Sequence, residues 1–360
     1  MLNISDQIAR YIKKTGINQI FTVTGGGAMF LNKAFHDNFT DISYLHHEQA
    51  CSMAAEGYAR IENKPAIVNV TSGPGGINAL NGVFGAFTDS IPMIVISGQV
   101  KNETLVRTYN DSSLRQLGDQ EANIENIVKP ITKYVVSIKK PRDLETELPK
   151  AISLATSGRP GPVWIDIPSD IQMDNTKLNF KIHNNDEKSS KEKNLIKIQK
   201  LRTLIESSKR PLILAGTGIR ISSTEKDLIR FSKDLNIPIA TAWTHDLIES
   251  KSELFAGRPG TIGTRPGNFC LQNCDLLIVL GSRLNIRQTG FNFEGFAKKA
   301  KVVHVDIDKS ELNKFYLRSQ IKINSDLKTF FKEMSSIKIK IEKGQFDNWI
   351  KWCVKINKEY

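Results

Sequence analysis

The stretch "AIVNVTSGPGGINALNGVFGAFTDSIPMIVISGQ", Ala66 to Gln99, decides the fold class. Two largely apolar runs, "AIVNV" and "PMIVISGQ", enclose a glycine-rich turn and a segment with a helical pattern. Short runs of this kind are typical of strands in a parallel sheet that is buried on both faces, and parallel neighbours need a crossover helix between them. The stretch therefore predicts a strand–helix–strand unit with the glycine turn at the carboxyl end of its first strand.

The same alternation extends upstream and far downstream of this unit. "QIFTVT" leads into "GGGAMFLNKAF", and "ISYL" leads into a helical pattern that contains Glu48. A second series runs from "RPLILAGTGI" through "PIATAW" and "CDLLIVLGSRL" to "AKVVHVDID". Apolar strands that alternate with helices predict an α/β fold with two doubly wound parallel-sheet domains, the second of them Rossmann-like.

Composition places the boundaries between these domains. The polar run "NTKLNFKIHNNDEKSSKEKN" separates the two series and predicts a linker. The last residues, "FDNWIKWCVKINKEY", predict an amphipathic helix, and we expect nothing after it for it to pack against. We predict four segments: a first domain at 1–172, a linker at 173–194, a central domain at 195–334 and a tail at 335–360.

Charge and cysteine usage argue against several classes of partner. With 50 basic and 38 acidic residues the formal charge is +12, but the lysines are interspersed with acids, which disfavours nucleic acid as a partner. The N-terminus lacks a signal-peptide pattern, and no apolar run is long enough to span a membrane. Four dispersed cysteines fit a reducing compartment, so we expect a cytoplasmic protein. Cys270 and Cys274 have no second ligand pair, and we therefore predict no metal site in this chain.

Glycine-rich turns and one acid are the candidate functional features. "TGGGA" (24–28) and "TSGPGGIN" (71–78) each follow a strand, and we expect a third glycine turn near Gly57. Glycine lets the backbone approach a ligand closely, although a tight strand-to-helix turn explains each motif equally well. No Lys-Ser/Thr pair follows these turns and no G-x-G-x-x-G is complete, so the phosphate-loop interpretation fails. In "LHHEQACSMAAEGYAR", Glu48 by itself is an acid favoured at a helix start.

Taken in order, the motifs resemble a known family. "HEQACSMAAEGYAR", "TSGPGGINALNGVFGAFTDSIPMIVISGQV", "DQEANIENIVKPITKY" and "SGRPGPVWIDIP" resemble the pyrimidine-binding domain of thiamine-diphosphate enzymes, most of all the acetolactate synthase group. Residues 195–334 resemble the central domain of that family through "LILAGTGI", "GTIGTRPGNFCLQNCDLLIVLGSRL" and "VVHVDIDKSEL".

The resemblance implies two catalytic residues. Glu48 matches a glutamate that shares a proton with a ring nitrogen of the cofactor's aminopyrimidine. Gln120 precedes Pro130 by ten residues, as the active-site glutamine of the family does, and its amide can donate to a carbonyl or enolate oxygen; a surface-loop glutamine is the alternative. Asp119 replaces a phenylalanine of the family, so the 2-oxo acid and its acceptor stay undefined.

The resemblance also implies residues that bind the cofactor. Gly25, Gly26 and Gly27 resemble the turn beside the thiazolium ring, where Pro-Gly-Gly is more usual. His47 is placed at the cleft, with a structural histidine as the alternative. The remaining expected contacts are Thr71, Gly73, Pro74, Gly75 and Asn78.

In the central domain, the resemblance does not decide whether a nucleotide is bound. Acetolactate synthases hold FAD there in a non-redox role, whereas relatives keep the domain empty or bind another nucleotide. The turns that are able to hold a diphosphate through amides and guanidinium groups contain Gly216, Gly218, Arg220, Gly281 and Arg283.

The third domain of the family holds the cofactor's diphosphate through Mg²⁺ and a Gly-Asp-Gly segment, which these 360 residues do not contain. We therefore expect an acetolactate synthase-like carboligase or decarboxylase for 2-oxo acids such as pyruvate. It would be inactive alone and would act as a homo-oligomer or with a partner chain, compatible with branched-chain amino acid biosynthesis. The alternative is a non-catalytic remnant or a regulatory nucleotide-binding module.

Overall fold

The computed structural model describes residues 2–109, 113–183, 191–242 and 246–360, and of residues 191–193 it describes the backbone alone. The chain divides into two compact units, Met1–Glu187 and Lys188–Tyr360. Each unit is built on one parallel sheet with flanking helices, which confirms the predicted α/β class.

The first unit alternates strands and helices from its start. Its strands are β1 (Ile20–Thr22), β2 (Ile42–Tyr44), β3 (Ile67–Val70), β4 (Met93–Gln99), β5 (Tyr134–Ser137) and β6 (Pro162–Pro168). Its α-helices are α1 (Ile4–Lys14), α2 (Met29–Asn38), α3 (Glu48–Glu62), α4 (Pro74–Asn78), α5 (Leu80–Asp89), α6 (Ile124–Val128), α7 (Leu144–Thr156) and α8 (Ser169–Met173). Short 3-10 helices lie at Gly26–Ala28, Asn102–Thr104, Val106–Thr108, Lys129–Ile131 and Pro141–Asp143.

The six strands are ordered β2-β1-β3-β4-β6-β5, and all neighbours are parallel. Side chains of a strand point alternately to the two faces of its sheet, so apolar residues at every position fill two cores. In β4, Ile94 and Ile96 join the core under α1, α2 and α7, whereas Met93 and Val95 join the core under α3 and α5. Because β1, β3 and β4 are neighbours, the turns after them meet at one edge of the sheet.

The segment expected to be the linker is in part packed structure. Residues 174–183 lie against the first unit: Gln7 exchanges hydrogen bonds with the backbone of Thr176 and Leu178, and Phe180 stacks on Tyr11 at 4.2 Å between ring centroids. Residues 184–190 lie outside the described residues, and residues 191–194 already belong to the next helix.

The second unit repeats the alternation. Its strands are β7 (Pro211–Ala215), β8 (Ile239–Thr241), β9 (Leu276–Leu280), β10 (Lys301–Asp306) and β11 (Ile321–Asn324), in the parallel order β11-β10-β9-β7-β8. Its α-helices are α9 (Lys191–Ser207), α10 (Gly218–Ile221), α11 (Glu225–Leu235), α12 (Arg265–Asn273), α13 (Ile286–Thr289), α14 (Lys309–Leu312), α15 (Leu327–Ser335) and α16 (Asp347–Glu359). One 3-10 helix spans Phe293–Gly295.

The C-terminal residues differ from the expected tail. Phe346, Trp349 and Cys353 are at most 4% exposed, and Trp349 Nε1 donates to the Pro211 carbonyl at 2.8 Å. Helix α16 thus packs beside α12 and the start of β7. The amphipathic pattern was recognised correctly, but the expectation that the helix had nothing to pack against was wrong, because its partners lie far upstream in sequence.

Two further features concern the helices. Gly57 lies inside α3 rather than in a turn, so the expected third glycine turn is absent from that position. Within the described ranges, no helix combines the length and the apolar character needed to cross a membrane.

Candidate active site

The two glycine turns after β1 and β3 pack directly on each other. A Cβ at Gly25 would stand 2.5 Å from the Thr71 side chain, and one at Gly27 would stand 2.6 Å from Ser72 Oγ. The Gly27 amide donates to Thr71 Oγ1 at 3.0 Å. By contrast, a Cβ at Gly26 would meet no described atom within 4 Å. Gly25 and Gly27 are therefore required for close packing, and Gly26 borders open space.

Glu48 lies at this edge of the sheet because β2 ends just before it. It is the first residue of α3, after His47 in extended conformation, and it is half-buried. Asn78 Nδ2 donates to Glu48 Oε2 at 2.7 Å, and Glu48 Oε1 lies 3.4 Å from where a Cβ on Gly75 would stand. The carboxylate is thus held by one amide and faces the second glycine turn.

The loop that carries Gln120 reaches the same turn from the other side. Gly73 has φ +56°, and a Cβ there would stand 2.0 Å from the Gln120 carbonyl oxygen. Gln120 itself has φ +59° and is exposed. Alanine at Gly73 would force the loop away, so the glycine is needed both for its conformation and for this contact.

The structure therefore brings most of the expected site residues into one continuous group. These are Gly25, Gly27, Glu48, Thr71, Gly73, Gly75, Asn78 and Gln120. Pro74 is exposed at the first position of α4, where its fixed φ suits a helix start, and His47 is exposed beside Glu48. The chemical groups that this edge presents are a carboxylate, two amides and glycine backbone.

Two asparagines support the first glycine turn from within the sheet. Asn69, fully buried in β3, donates to Thr22 Oγ1 at 3.0 Å and to Asn32 Oδ1 at 2.6 Å. Asn32 in turn donates to the Gly25 carbonyl at 3.3 Å. Buried polar groups need such partners, so this chain of bonds fixes where the turn lies.

A buried carboxylate that the sequence reasoning missed lies beneath the Gln120 loop. Asp166 in β6 accepts Ser97 Oγ at 2.7 Å, Ser137 Oγ at 3.2 Å and Gln99 Nε2 at 3.2 Å. Gln99 Nε2 also donates to the Ala122 carbonyl at 3.1 Å, two residues after Gln120. Burial raises the pKa of Asp166 to about 6, although these hydrogen bonds oppose the shift. An acid in the apolar run "VWIDIP" was the available signal.

Cys51 lies one helical turn behind Glu48 and is fully buried. Burial, with a smaller contribution from the Glu48 charge, raises the pKa of its thiol to about 12. At neutral pH the thiol is protonated, and only the thiolate is a strong nucleophile. The Cys51 thiol therefore does not provide a nucleophile at this end of α3.

In the second unit, the glycines of the corresponding turns pack on each other. A Cβ at Gly216 would stand 2.4 Å from the Gly281 carbonyl oxygen, and one at Gly218 would stand 2.7 Å from Gly281 Cα. The Gly218 amide already donates to the Gly281 carbonyl at 3.0 Å. Arg220 pairs with Asp246 at 2.6 Å, and the Arg283 carbonyl accepts Lys314 Nζ at 2.8 Å. Backbone packing alone thus accounts for these glycines.

The cysteines of the chain are not arranged as metal ligands in the described residues. All four cysteines are free and buried, and Cys270 and Cys274 lie with Cys353 in the core of the second unit. Across the described residues, no three His, Cys, Asp or Glu side chains form a group that could hold a metal ion. The residues at the edge of the first sheet suit a neutral heteroaromatic ring with hydrogen-bonding nitrogens better than a diphosphate.

Comparison with known proteins agrees with this division of the chain. Residues 2–122 match the family model "Thiamine pyrophosphate enzyme, N-terminal TPP binding domain", and residues 198–334 match "Thiamine pyrophosphate enzyme, central domain". Both matches fall inside the two structural units, one in each.

Individual relatives cover nearly the whole chain. It is 35% identical over 364 residues to the acetolactate synthase large subunit of Lactococcus lactis subsp. lactis, covering 99% of the chain and 60% of the relative. It is 31% identical to the probable acetolactate synthase large subunit of Methanocaldococcus jannaschii, and the match covers 98% of the chain and 59% of the relative. It is 29% identical to the acetolactate synthase isozyme 2 large subunit of Escherichia coli, and the match covers 100% of the chain and 62% of the relative. The chain spans about three fifths of the length of these curated relatives.

Proposed function

Because the chain belongs to the thiamine pyrophosphate enzyme family, we propose that it supplies the pyrimidine-binding half of an enzyme that joins or decarboxylates 2-oxo acids such as pyruvate. The observation that carries the proposal is the group around Glu48: its carboxylate is bound to Asn78, faces Gly75, and shares the glycine turn with the Gln120 loop. These contacts join one carboxylate to a glycine-lined edge of the sheet that also presents two side-chain amides.

The donor set at this edge fits the pyrimidine part of thiamine diphosphate. When bound, that cofactor supplies a weakly acidic ring carbon that becomes a nucleophile toward the carbonyl of a 2-oxo acid. In our proposal Glu48 holds a proton at a ring nitrogen of the pyrimidine through Oε1, while Asn78 keeps Oε2 in place. Gly26, which borders open space, lets a flat ring approach the backbone.

Gln120 is proposed to act on the substrate rather than on the cofactor. Its side chain is exposed on a loop whose backbone rests on Gly73, so its amide can donate to a carbonyl oxygen above the turn. Asp119 lies beside Gln120 on the same loop. We propose that its acidic side chain influences which 2-oxo acid is accepted.

The diphosphate and Mg²⁺ are proposed to be held by residues outside these 360. No Gly-Asp-Gly is present, and the described residues offer no acidic metal site. Isolated, the chain is then expected to bind the cofactor weakly and to be inactive. FAD or another nucleotide in the second unit stays an alternative that the backbone packing of Gly216, Gly218 and Gly281 neither requires nor supports.

An apolar surface of the first unit supports assembly with a second copy or with a chain that carries the other half. Helices α3 and α5 touch at Gly82, where a Cβ would stand 2.4 Å from Ser52 Oγ. Beside this crossing, Met53, Phe84 and Phe87 are 45%, 54% and 38% exposed. Large apolar side chains grouped in this way are typical of interaction surfaces.

A fused protein tests the proposed activity. The chain is joined to the part of the Lactococcus lactis relative that it does not match, and exchange of the cofactor's ring-carbon proton is followed by NMR with Mg²⁺ present. We expect exchange and pyruvate consumption well above those of either part alone. A folded fusion that accelerates neither would contradict the proposal and favour the non-catalytic module of the same fold.

A further inference from the structure

The backbone of the loop before α6 adopts a conformation that its sequence does not favour. Gln120 has φ +59°, in the left-handed region, where a residue with a side chain is held at a cost in free energy. In this conformation its carbonyl faces Gly73, at the turn that Glu48 also faces. Something in the loop must offset the cost and hold this geometry.

The carboxylate of Glu121 lies at the centre of the same loop. Its Oε1 accepts the Val106 amide at 2.8 Å, and its Oε2 accepts the amides of Leu117 and Gly118 at 3.2 and 3.3 Å. The Glu121 amide donates to the Gly118 carbonyl at 3.1 Å, which closes a four-residue turn with Gln120 at its third position. The Glu121 side chain thus joins the loop segment at Val106 to the turn that contains Gln120.

Other contacts anchor this turn to the sheet. Gly118 is buried so closely that a Cβ would stand 2.6 Å from Val100 Cγ2 and 2.8 Å from the Thr104 carbonyl. Gln116 Nε2 donates to the Glu121 carbonyl at 3.0 Å, and Gln99 holds Ala122 from below. The turn therefore has fixed ends, and the Glu121 carboxylate fills its interior.

We propose that Glu121 is a positioning residue: by accepting three backbone amides it holds Gln120 in its left-handed conformation against Gly73, opposite Glu48. This inference rests on the proposed function for its catalytic consequence. A carboxylate suits the task because it accepts on both oxygens, whereas a carboxamide of the same shape presents an NH₂ group to an amide N–H on one side. Glu121 would then govern the step in which Gln120 meets the substrate, and not activation of the cofactor by Glu48.

Amide hydrogen exchange of the full chain tests the structural part. In Glu121→Gln we expect exchange at Val106, Leu117 and Gly118 to become at least tenfold faster. The matched control is Glu103→Gln, which removes the same charge from an exposed side chain of the neighbouring 3-10 helix and is expected to leave these amides unchanged. Unchanged exchange in Glu121→Gln would overturn the proposal.

Glu121→Asp is the second variant in case the first does not fold. It keeps the charge but is shorter by one methylene, so it cannot bridge both sides of the loop and should give intermediate exchange rates. Exchange equal to that of the wild type in this variant would also overturn the proposal.

Kinetics of the fused protein test the catalytic part. For Glu121→Gln we expect kcat for pyruvate to fall at least tenfold while exchange of the cofactor's ring-carbon proton stays within twofold. An unchanged kcat, or an equal loss of proton exchange, would contradict positioning of Gln120. If the wild-type fusion itself accelerates neither reaction, it is the proposed function that fails, and the amide exchange still decides whether Glu121 holds the loop.

Discussion

The two units carry the same sequence signature, a glycine turn after a parallel strand, and use it differently. In the first unit, Gly73 and Gly75 border a carboxylate, Glu48, and the backbone of the Gln120 loop. In the second, Gly218 and Gly281 border each other, with their backbones in contact and the Gly218 amide already bonded. One turn thus borders polar side chains from two other elements, and the other packs against a second turn.

This difference shows that a glycine turn has no function of its own. Removing the Cβ makes close approach possible, and the neighbouring elements determine what approaches. In the first unit the turn after β3 packs on the turn after β1, and its further neighbours are a helix that starts with an acid and a loop with a polar tip. In the second unit the neighbour is another turn.

The largest expected effect concerns the chemistry proposed for the first unit. Glu48→Gln in the fused protein should lower exchange of the cofactor's ring-carbon proton by about 10²–10⁴-fold, the usual range for loss of a general acid–base group. Glu62→Gln, at the exposed end of the same helix, is the control. Exchange that survives in Glu48→Gln with the fold intact would remove Glu48 from the mechanism.

The next effect compares how tightly one glycine of each unit is packed. Gly218→Ala should lower the free energy of unfolding by about 1–3 kcal/mol, because its Cβ would stand 2.7 Å from Gly281 Cα inside a closed turn. Gly26→Ala in the first unit, which meets open space, should change it by less than about 0.5 kcal/mol. Urea unfolding followed by far-UV circular dichroism gives both values. Equal losses would mean that the two turns are packed alike.

The buried titratable groups of the two units should also change the free energy of unfolding in opposite directions as the pH rises. Burial raises the pKa of Asp166 to about 6, so the unfolded state loses this proton first and stability falls as pH rises from about 4 to 6. Burial lowers the pKa of His304 to about 4, so the unfolded state binds this proton first and stability rises over the same window. Each contribution is on the order of 3 kcal/mol.

Thermal unfolding between pH 4 and 7 measures these contributions. Compared with the wild type, Asp166→Asn should make the midpoint rise more steeply with pH, and His304→Gln should make it rise less steeply. Parallel curves for wild type and both variants would show that neither buried group changes its proton affinity on folding.

The smallest expected effect concerns surfaces. Phe84→Asp should weaken self-association of the chain about tenfold or more, because it places a charge on the apolar surface beside the α3–α5 crossing. Phe315→Asp, which changes a 91% exposed side chain of the second unit, is the matched control and should have no effect. Sedimentation velocity at micromolar concentrations measures both. A wild-type chain that stays monomeric throughout would contradict self-association through this surface, and only a chain that carries the other half would then remain as its proposed partner.

Much of the fold was predictable because strands and turns are local patterns. The runs "AIVNV" and "PMIVISGQ" became β3 and β4. The polar run expected to be a linker is in part packed against α1, which its composition did not indicate. Gly57 was misread because a glycine inside a helix looks the same as a glycine in a turn. Helix α16 was assigned to a tail because its partners, α12 and Pro211, are remote in sequence.

The candidate site divides in the same way. Glu48 and Gln120 were proposed from family motifs, and both lie beside the second glycine turn. Asp166 and Glu121 were missed, because the sequence does not distinguish an acid that accepts internal hydrogen bonds from a solvated one. Only their partners, Gln99 for the first and the Val106 and Gly118 amides for the second, distinguish them.

The sequence by itself determined the parallel sheets, the glycine turns at the ends of their strands and the acid that begins α3. These depend on periodicity and burial over a few residues, and neighbouring parallel strands necessarily end at one edge of a sheet. Only the tertiary structure decided that Glu48 meets Asn78, 30 residues away, that Gln120 rests on Gly73, and that Gly218 meets Gly281. The physical reason is excluded volume: the space left by a missing Cβ is filled by whichever element the packing of the whole unit brings there.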